Sequence, residues 1–162
     1  MFQVGGTAGQ VVTLAMVGGS ATSTSDYDAA SLQVLVNGSW TAYGSNVTIP
    51  AGGTLLARVA LANDSPAVYE GPETFGLRAT NGSGISITGT AIIVDDGTGS
   101  IYPDNTTGNP DPNATKDDDR PVRVNNIEVN ENSPWGVFRV NGTAGQSVTL
   151  ALQNDNDPNT DR

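Results

Sequence analysis

The chain has 162 residues, a length typical of one domain or of one domain with part of another. Acidic residues outnumber basic residues 17 to 7, and the resulting net charge of −10 disfavours nucleic acid, whose phosphates require clustered lysine and arginine, and favours cations. The chain has no cysteine and no histidine, which argues against zinc, thiol and haem chemistry and against histidine-based catalysis. We therefore expect no enzyme and no nucleic-acid partner. No apolar run approaches the ~20 residues of a spanning helix, so we also expect no membrane insertion.

Short alternating segments separated by turn residues run through the first part of the chain. The candidate strands are Phe2–Val4, Gln10–Val17, Ser31–Val36, Asn46–Ile49, Thr54–Ala62, Thr74–Thr80 and Ile85–Val94. Asn37-Gly38, between Val36 and Trp40, is the clearest hairpin signal. Since no segment has sustained helical periodicity, the pattern predicts an all-β fold, an antiparallel immunoglobulin-like β-sandwich.

The opening of the chain is repeated near its end. Residues Phe2–Met16 and Phe138–Leu152, which begin 136 positions apart, are identical at 11 of 15 positions, so the chain contains a tandem repeat of about domain length. In the second copy Val122–Gly136 precedes the repeated motif, whereas the first copy begins at Met1. We expect a sandwich over 1–96 that lacks its first strand, a linker over 97–121, and over 122–162 the start of the next repeat or a strand that completes a sandwich.

The predicted linker is rich in Gly, Pro, Asn and Asp and has only one apolar pair, Ile101-Tyr102, so we expect no core within it. Seven of the 17 acids lie between Asp95 and Asp119. The run formed by Asp117, Asp118 and Asp119 has two interpretations that stay open here. It is a solvated acidic spacer, or it holds an ion at the junction between repeats.

Acidic side chains also cluster at the ends of predicted strands. They are Asp26 and Asp28, Glu70 and Glu73 on either side of Gly71-Pro72, and Asp95 and Asp96. Like charges this close repel, and a hard cation such as Ca²⁺, which takes 6–8 oxygen ligands, removes the repulsion. If the strands bring these acids together, the chain has a calcium site. Otherwise they are solvated loop acids with unrelated roles.

Several segments carry a family resemblance, in this order along the chain: Asp26-Tyr27, Ile49–Thr54, Tyr69–Phe75 (YEGPETF) and Ile93–Asp96. This order resembles the Calx-beta domain, an immunoglobulin-like sandwich of sodium–calcium exchangers, integrin β4 and bacterial surface proteins. Ile127–Pro134 resembles the first strand of that family. The run Asp117–Pro121 followed by Val124–Ile127 resembles the tandem repeats of large bacterial RTX-type adhesins.

The resemblance implies a set of calcium ligands. Matched position by position, they are Asp26, Glu70, Glu73, Asp95 and Asp96, with the backbone carbonyl of Val68 as a further ligand and Glu131 as the first-strand acid of the second copy. The terminal acidic run is only two aspartates followed by Gly97, a departure that implies fewer or weaker ions than in the best-supplied members of the family.

The same resemblance implies a function and a location. It points to a secreted or cell-surface structural extender repeat of a bacterial adhesin, rigidified by Ca²⁺, with neighbouring repeats as its partners. One alternative is a domain that recognises a cell-surface glycan or protein. Exposed Trp40 and Tyr43 would mark it, and packing is the competing interpretation of these side chains. Another is a donor-strand module, in which Val124–Asn130 completes a sandwich in the same molecule or in a strand-swapped assembly.

Overall fold

The computed structural model describes residues 1–63 and 67–153, and this part of the chain contains ten β-strands and no helix. Residues 154–162 of the predicted second repeat lie outside that part. The strands are β1 (Phe2–Gly5), β2 (Val11–Val17), β3 (Tyr27–Val36), β4 (Ser39–Ala42), β5 (Val47–Thr48), β6 (Thr54–Leu61), β7 (Glu73–Asn81), β8 (Ser86–Ile93), β9 (Arg123–Val124) and β10 (Val140–Asn141). Within these limits, no helix is long and apolar enough to cross a membrane.

The first eight strands form two antiparallel sheets, ordered β1-β6-β3-β4 and β5-β2-β7-β8. Alternation decides which side chains are buried, because successive residues of a strand point to opposite faces. In β7, for example, Phe75, Leu77 and Ala79 are buried. Both sheets contribute to one apolar core, and the ring of Tyr27 stacks on that of Phe75 with centroids 4.4 Å apart. The predicted all-β, antiparallel fold is confirmed, and the two sheets are consistent with a β-sandwich.

The predicted hairpin at Asn37-Gly38 is present between β3 and β4. Both residues have positive φ, 49° and 76°, as the tight turns that match the twist of two antiparallel strands require. β3 begins at Tyr27 and not at the predicted Ser31. Its register with β6 shifts between Asp28 and Gln33, and this irregularity interrupts the alternation from which the strand was predicted.

The segment predicted as a linker, 97–121, belongs to the first compact unit, Met1–Pro121. The indole N–H of Trp40 donates a hydrogen bond of 2.8 Å to the carbonyl oxygen of Asn105. The guanidinium of Arg58 lies 4.3 Å from the centre of the Trp40 ring and forms an ion pair with Asp104. One backbone carbonyl group and one aspartate thus dock the segment on the sheet, although it has almost no apolar side chains to bury.

The second unit, Val122–Arg162, contains the antiparallel pair β9-β10 among its described residues. Here the repeated motif has a different environment from the one in the first unit. Phe2, Val4, Val12 and Leu14 are core residues, whereas their equivalents are exposed. These equivalents, 136 positions later, are Phe138, Val140, Val148 and Leu150. The same sequence is therefore buried in one copy and exposed in the other.

Candidate metal centre

A tight turn places Glu70 and Glu73 side by side at the start of β7. Gly71 has a φ of +81°, a backbone conformation that residues with a Cβ rarely adopt. The ring of the following residue, Pro72, fixes its own φ. Glu73 is the first residue of β7. The Gly-Pro pair therefore forms the turn that brings the backbones of Glu70 and Glu73 together.

Asp26 reaches the same place through the loop between β2 and β3. The N–H of Ala21 donates a hydrogen bond of 2.9 Å to the carbonyl oxygen of Thr74, which ties this loop to the residue after Glu73. The carboxylate of Asp26 accepts a hydrogen bond from the N–H of Thr22. The loop conformation thus holds the Asp26 side chain in a half-buried position at the end of the sheet.

Asp95 follows β8, which pairs with β7 on the side opposite to β2. β8 runs antiparallel to β7 with Ile93 opposite Glu73, so Asp95 lies just beyond the last pair. Its Oδ2 accepts a hydrogen bond of 2.8 Å from the N–H of Glu70. Its Oδ1 is buried and has no hydrogen-bond partner among the described residues. One oxygen of Asp95 therefore fixes the Glu70 turn, and the other is left for a different partner.

We call these four acids, Asp26, Glu70, Glu73 and Asp95, the carboxylate cluster. One carboxylate oxygen each from Asp26, Glu70 and Glu73 lies within 4.8 Å of the other two. Oxygens that share one Ca²⁺ at 2.3–2.6 Å are separated by at most about 5 Å. Three predicted ligands, two from one turn and one from a distant loop, thus have a spacing that a single calcium ion can bridge.

The electrostatics of the carboxylate cluster are those of uncompensated negative charge. The pKa of Glu73 is raised above its ordinary value of 4.5, first by partial desolvation and then by the charges of Asp26 and Glu70. A hydrogen bond with Asp26 and the charge of Asp95 raise this pKa further. Every group that shifts Glu73 in this way is itself acidic, so the cluster favours a bound proton or a bound cation.

The raised pKa of Glu73 has a consequence for stability that can be measured without metal. Between 4.5 and the higher folded-state pKa, the folded protein binds more protons than the unfolded chain, so stability falls as the pH rises through this window. We expect the melting temperature of the metal-free protein to rise as the pH is lowered from neutrality towards 4.5, the ordinary pKa of this side chain. Glu73→Gln, which lacks the titrating group, should show a smaller rise.

The measurement is calorimetric melting of both proteins in chelator-treated buffers across this range. Asp96 and Asp118 do not interfere, because their pKa values lie below 3.8 and their stabilising contributions are lost only under more acidic conditions. Parallel pH profiles for the wild type and Glu73→Gln would contradict the assignment of the effect to the carboxylate cluster.

The other predicted aspartates have partners of their own. Asp96 accepts hydrogen bonds from the backbone N–H and the hydroxyl of Thr98, and these bonds are the main cause of its lowered pKa. Asp118 binds Arg120 through both carboxylate oxygens at 2.7 Å, and this pairing lowers its pKa. Neither carboxylate is among the groups that the structure brings together around Glu73.

Asp117 and Asp119 take part through their backbones. The N–H of Gly97 donates to the carbonyl oxygen of Asp117 at 2.7 Å, and the N–H of Asp119 donates to the carbonyl oxygen of Asp95 at 2.8 Å. Together with the Asp96–Asp118 bridge, these bonds form a short antiparallel ladder, which we call the aspartate ladder. It attaches the end of segment 97–121 to Asp95, a member of the carboxylate cluster.

Three further residues were predicted as ligands or as associated acids: Asp28, Val68 and Glu131. The carboxylate of Asp28 accepts a hydrogen bond of 2.9 Å from the N–H of Ala30, within its own strand. Val68 lies in the loop just before Glu70, and the contribution of its carbonyl group to a metal site stays a prediction. Glu131 is exposed in a turn of the second unit, and its role as a first-strand ligand also stays a prediction.

Thr74 is a positioning residue that the sequence analysis did not identify. Its carbonyl oxygen accepts a hydrogen bond from the N–H of Ala21, and its N–H donates to the hydroxyl oxygen of Ser20 at 2.9 Å. Thr74 therefore joins the loop that carries Asp26 to the strand that carries Glu73. The pair Gly18-Gly19, next to Ser20, is the sequence signal that could have indicated this close approach.

Comparison with known proteins adds no relative to this picture. Nothing among protein-family models, curated proteins or solved structures matches the chain.

Proposed function

We propose that the chain is a calcium-binding structural extender from a tandem array on the bacterial cell surface, with an immunoglobulin-like sandwich of the Calx-beta type in each repeat. The observation that carries this proposal is the convergence of Asp26, Glu70, Glu73 and Asp95 at one end of the first repeat. The repeated motif 136 residues later supports the tandem array.

The first step concerns the ion. Four carboxylates offer eight oxygens, and partial desolvation together with the charges of the neighbouring acids raises the pKa of Glu73. Ca²⁺ prefers carboxylate oxygens in flexible geometry, whereas Mg²⁺ demands a near-ideal octahedron and keeps several waters. Because the ligands come from two loops and a strand end, their arrangement suits the more tolerant ion. The buried Oδ1 of Asp95 would be a further ligand atom.

The second step concerns what the ion would do. Bound Ca²⁺ would connect the loop before β3, the turn before β7 and the end of β8. Through the aspartate ladder, Asp95 is also joined to Asp119, shortly before the second unit begins at Val122. An ion here would stiffen the sandwich at the point where the chain leaves it, which is a structural task and requires no substrate.

The recognition alternative has less support. Trp40 and Tyr43, its expected marks, are engaged within the first repeat. The Trp40 ring lies against Arg58, and the hydroxyl oxygen of Tyr43 accepts a hydrogen bond of 2.8 Å from the N–H of Leu14. Aromatic rings used in this way offer little free surface for stacking on a sugar.

The test is thermal melting of the full chain in about 5 mM Ca²⁺ and in EGTA, with calorimetric titration to count the bound ions. With a dissociation constant near 0.5 mM, within the range of extracellular calcium modules, mass action adds about 1.4 kcal/mol at 5 mM. We expect a rise of a few degrees in the melting temperature of the first repeat.

Charge-neutralising variants make the test specific. Glu73→Gln should remove most of the calcium-dependent rise, yet melt at the same or a higher temperature than the wild type in EGTA, because it relieves repulsion. Glu128→Gln, at an exposed glutamate of the second unit, is the matched control and should retain the full calcium response. An equal response in all three proteins, or no response in the wild type, would refute the proposal.

A further inference from the structure

The outer edge of β1 presents backbone groups that no described strand binds. β1 is the terminal strand of its sheet, and only β6 pairs with it. The N–H of Gly6 donates to the carbonyl oxygen of Gly53 at 2.9 Å, and antiparallel ladders alternate between bonded and non-bonded residues. Counting back along the ladder, the N–H and C=O groups of Gln3 and Gly5 point away from β6.

The second repeat shows how the equivalent groups are used. Arg139 and Asn141 follow Gln3 and Gly5 by 136 positions in the repeated motif. The carbonyl oxygen of Arg139 accepts a hydrogen bond of 3.2 Å from the N–H of Asn125, and its N–H donates to the side-chain oxygen of Asn125. Asn141 lies opposite Arg123 in the β9-β10 pair. The residues that point outward in β1 are therefore equivalent to the residues that bind a strand in the second repeat.

We propose that the outer edge of β1 accepts a strand of the Arg123–Asn125 type, supplied by a second copy of this chain. Three observations support this occupant. The motif is repeated at 11 of 15 positions, the bonding phase of β1 matches that of its copy, and the pairing is already formed once within the second unit. Strand addition of this kind uses backbone hydrogen bonds for affinity, and an open edge is its usual acceptor.

The surroundings of the edge permit the approach. A Cβ built on Gly5 meets no atom within 4 Å, so this position has room for the side chain of an introduced residue. Arg123 and Asn125 are exposed, as is Gln3. An exchange replaces hydrogen bonds to β10 by the same hydrogen bonds to β1, so the gain per contact is small. Association between separate chains is expected only at high protein concentration, and it would be favoured within an array of repeats.

Disulfide trapping tests this contact directly, because the chain has no cysteine of its own. Gly5→Cys and Arg123→Cys are made in separate full-length chains, mixed, and equilibrated in a glutathione redox buffer. Bonded antiparallel pairs have Cα atoms about 5.5 Å apart, which is close to the usual separation in disulfides. We expect a mixed dimer joined through positions 5 and 123, several-fold more abundant than with Gly44→Cys, an equally exposed and unobstructed glycine.

A second variant distinguishes strand pairing from random collision. Gln3→Pro removes an N–H that points away from β6, a position at which edge strands tolerate proline. Added to Gly5→Cys, it should abolish the mixed dimer and leave the melting of the first repeat nearly unchanged. Trapping is expected in calcium and in EGTA alike, since neither strand contains a member of the carboxylate cluster.

Three outcomes would overturn the proposal. The first is a mixed dimer no more abundant than the Gly44→Cys control. The second is trapping that survives Gln3→Pro. The third is a Gly5→Cys/Arg123→Cys double variant that closes its disulfide only within one chain, because the occupant would then not be a second copy.

Discussion

Replacing Leu14 by alanine is expected to lower the free energy of unfolding of the first repeat by about 2–5 kcal/mol. Leu14 lies in the middle of β2, is only 6% exposed and belongs to the core shared by the two sheets. Its removal leaves a cavity that the rigid sheet cannot close, so the lost transfer free energy and the cavity both contribute. Urea unfolding, followed by the signal of the first repeat, measures the loss.

Leu150 provides a matched control within the same chain. It is the equivalent of Leu14 in the repeated motif, but it is 70% exposed. Leu150→Ala should change stability by no more than about 0.5 kcal/mol, as surface substitutions usually do. Similar losses for the two variants would contradict the different environments that the two copies have in this structure.

The second large effect is expected for Gly19→Ala, with a loss of about 3 kcal/mol in the stability of the first repeat. A Cβ on Gly19 would overlap the carbonyl oxygen of Thr74. That oxygen accepts the hydrogen bond of Ala21, which holds the Asp26 loop against β7. The substitution must therefore move backbone that positions two members of the carboxylate cluster.

The neighbouring glycine shows whether the close approach is the cause. A Cβ on Gly18 meets no atom within 4 Å, and its φ is not in the left-handed region. Gly18→Ala should be nearly neutral in thermal melting and should retain the response to calcium. Gly19→Ala should lose most of that response as well as stability. Equal melting temperatures for the two variants would show that the contact with Thr74 does not constrain the loop.

Local patterns were sufficient for most of the strands. The alternation around Phe75 and Leu77 predicted β7, and Asn37-Gly38 predicted the turn between β3 and β4, because in both cases the signal lies in adjacent residues. The beginning of β3 at Tyr27 was missed. Its pairing with β6 is irregular after Asp28, and a shift in register depends on the partner strand and not on local sequence.

The position of segment 97–121 could not be predicted from its composition. Docking depends on the carbonyl group of Asn105 and on the side chains of Trp40 and Arg58, two residues far away in the sequence. A backbone acceptor is present at every residue and leaves no compositional signal. A segment poor in apolar residues can therefore still be held in place by a few polar contacts on a neighbouring sheet.

For the candidate site, the order of motifs identified Asp26, Glu70, Glu73 and Asp95, which the structure brings together. It could not separate Asp95 from Asp96. Successive residues in extended backbone point to opposite sides, so one carboxylate joins the cluster and the other binds Thr98. Which of the two joins the cluster depends on the register of β8 against β7, a property of the folded pair.

The aspartate ladder also gives the chain hidden length. Its two backbone hydrogen bonds, between Asp95 and Asp119 and between Gly97 and Asp117, close a loop that lies outside both sheets. A pull on the chain beyond Pro121 would load these bonds before it reached β8. Their rupture, followed by loss of the Trp40–Asn105 and Arg58–Asp104 contacts, would release roughly 70 Å of extended chain while the eight-stranded core stayed folded. The segment would then lengthen under force and close again when the force is removed.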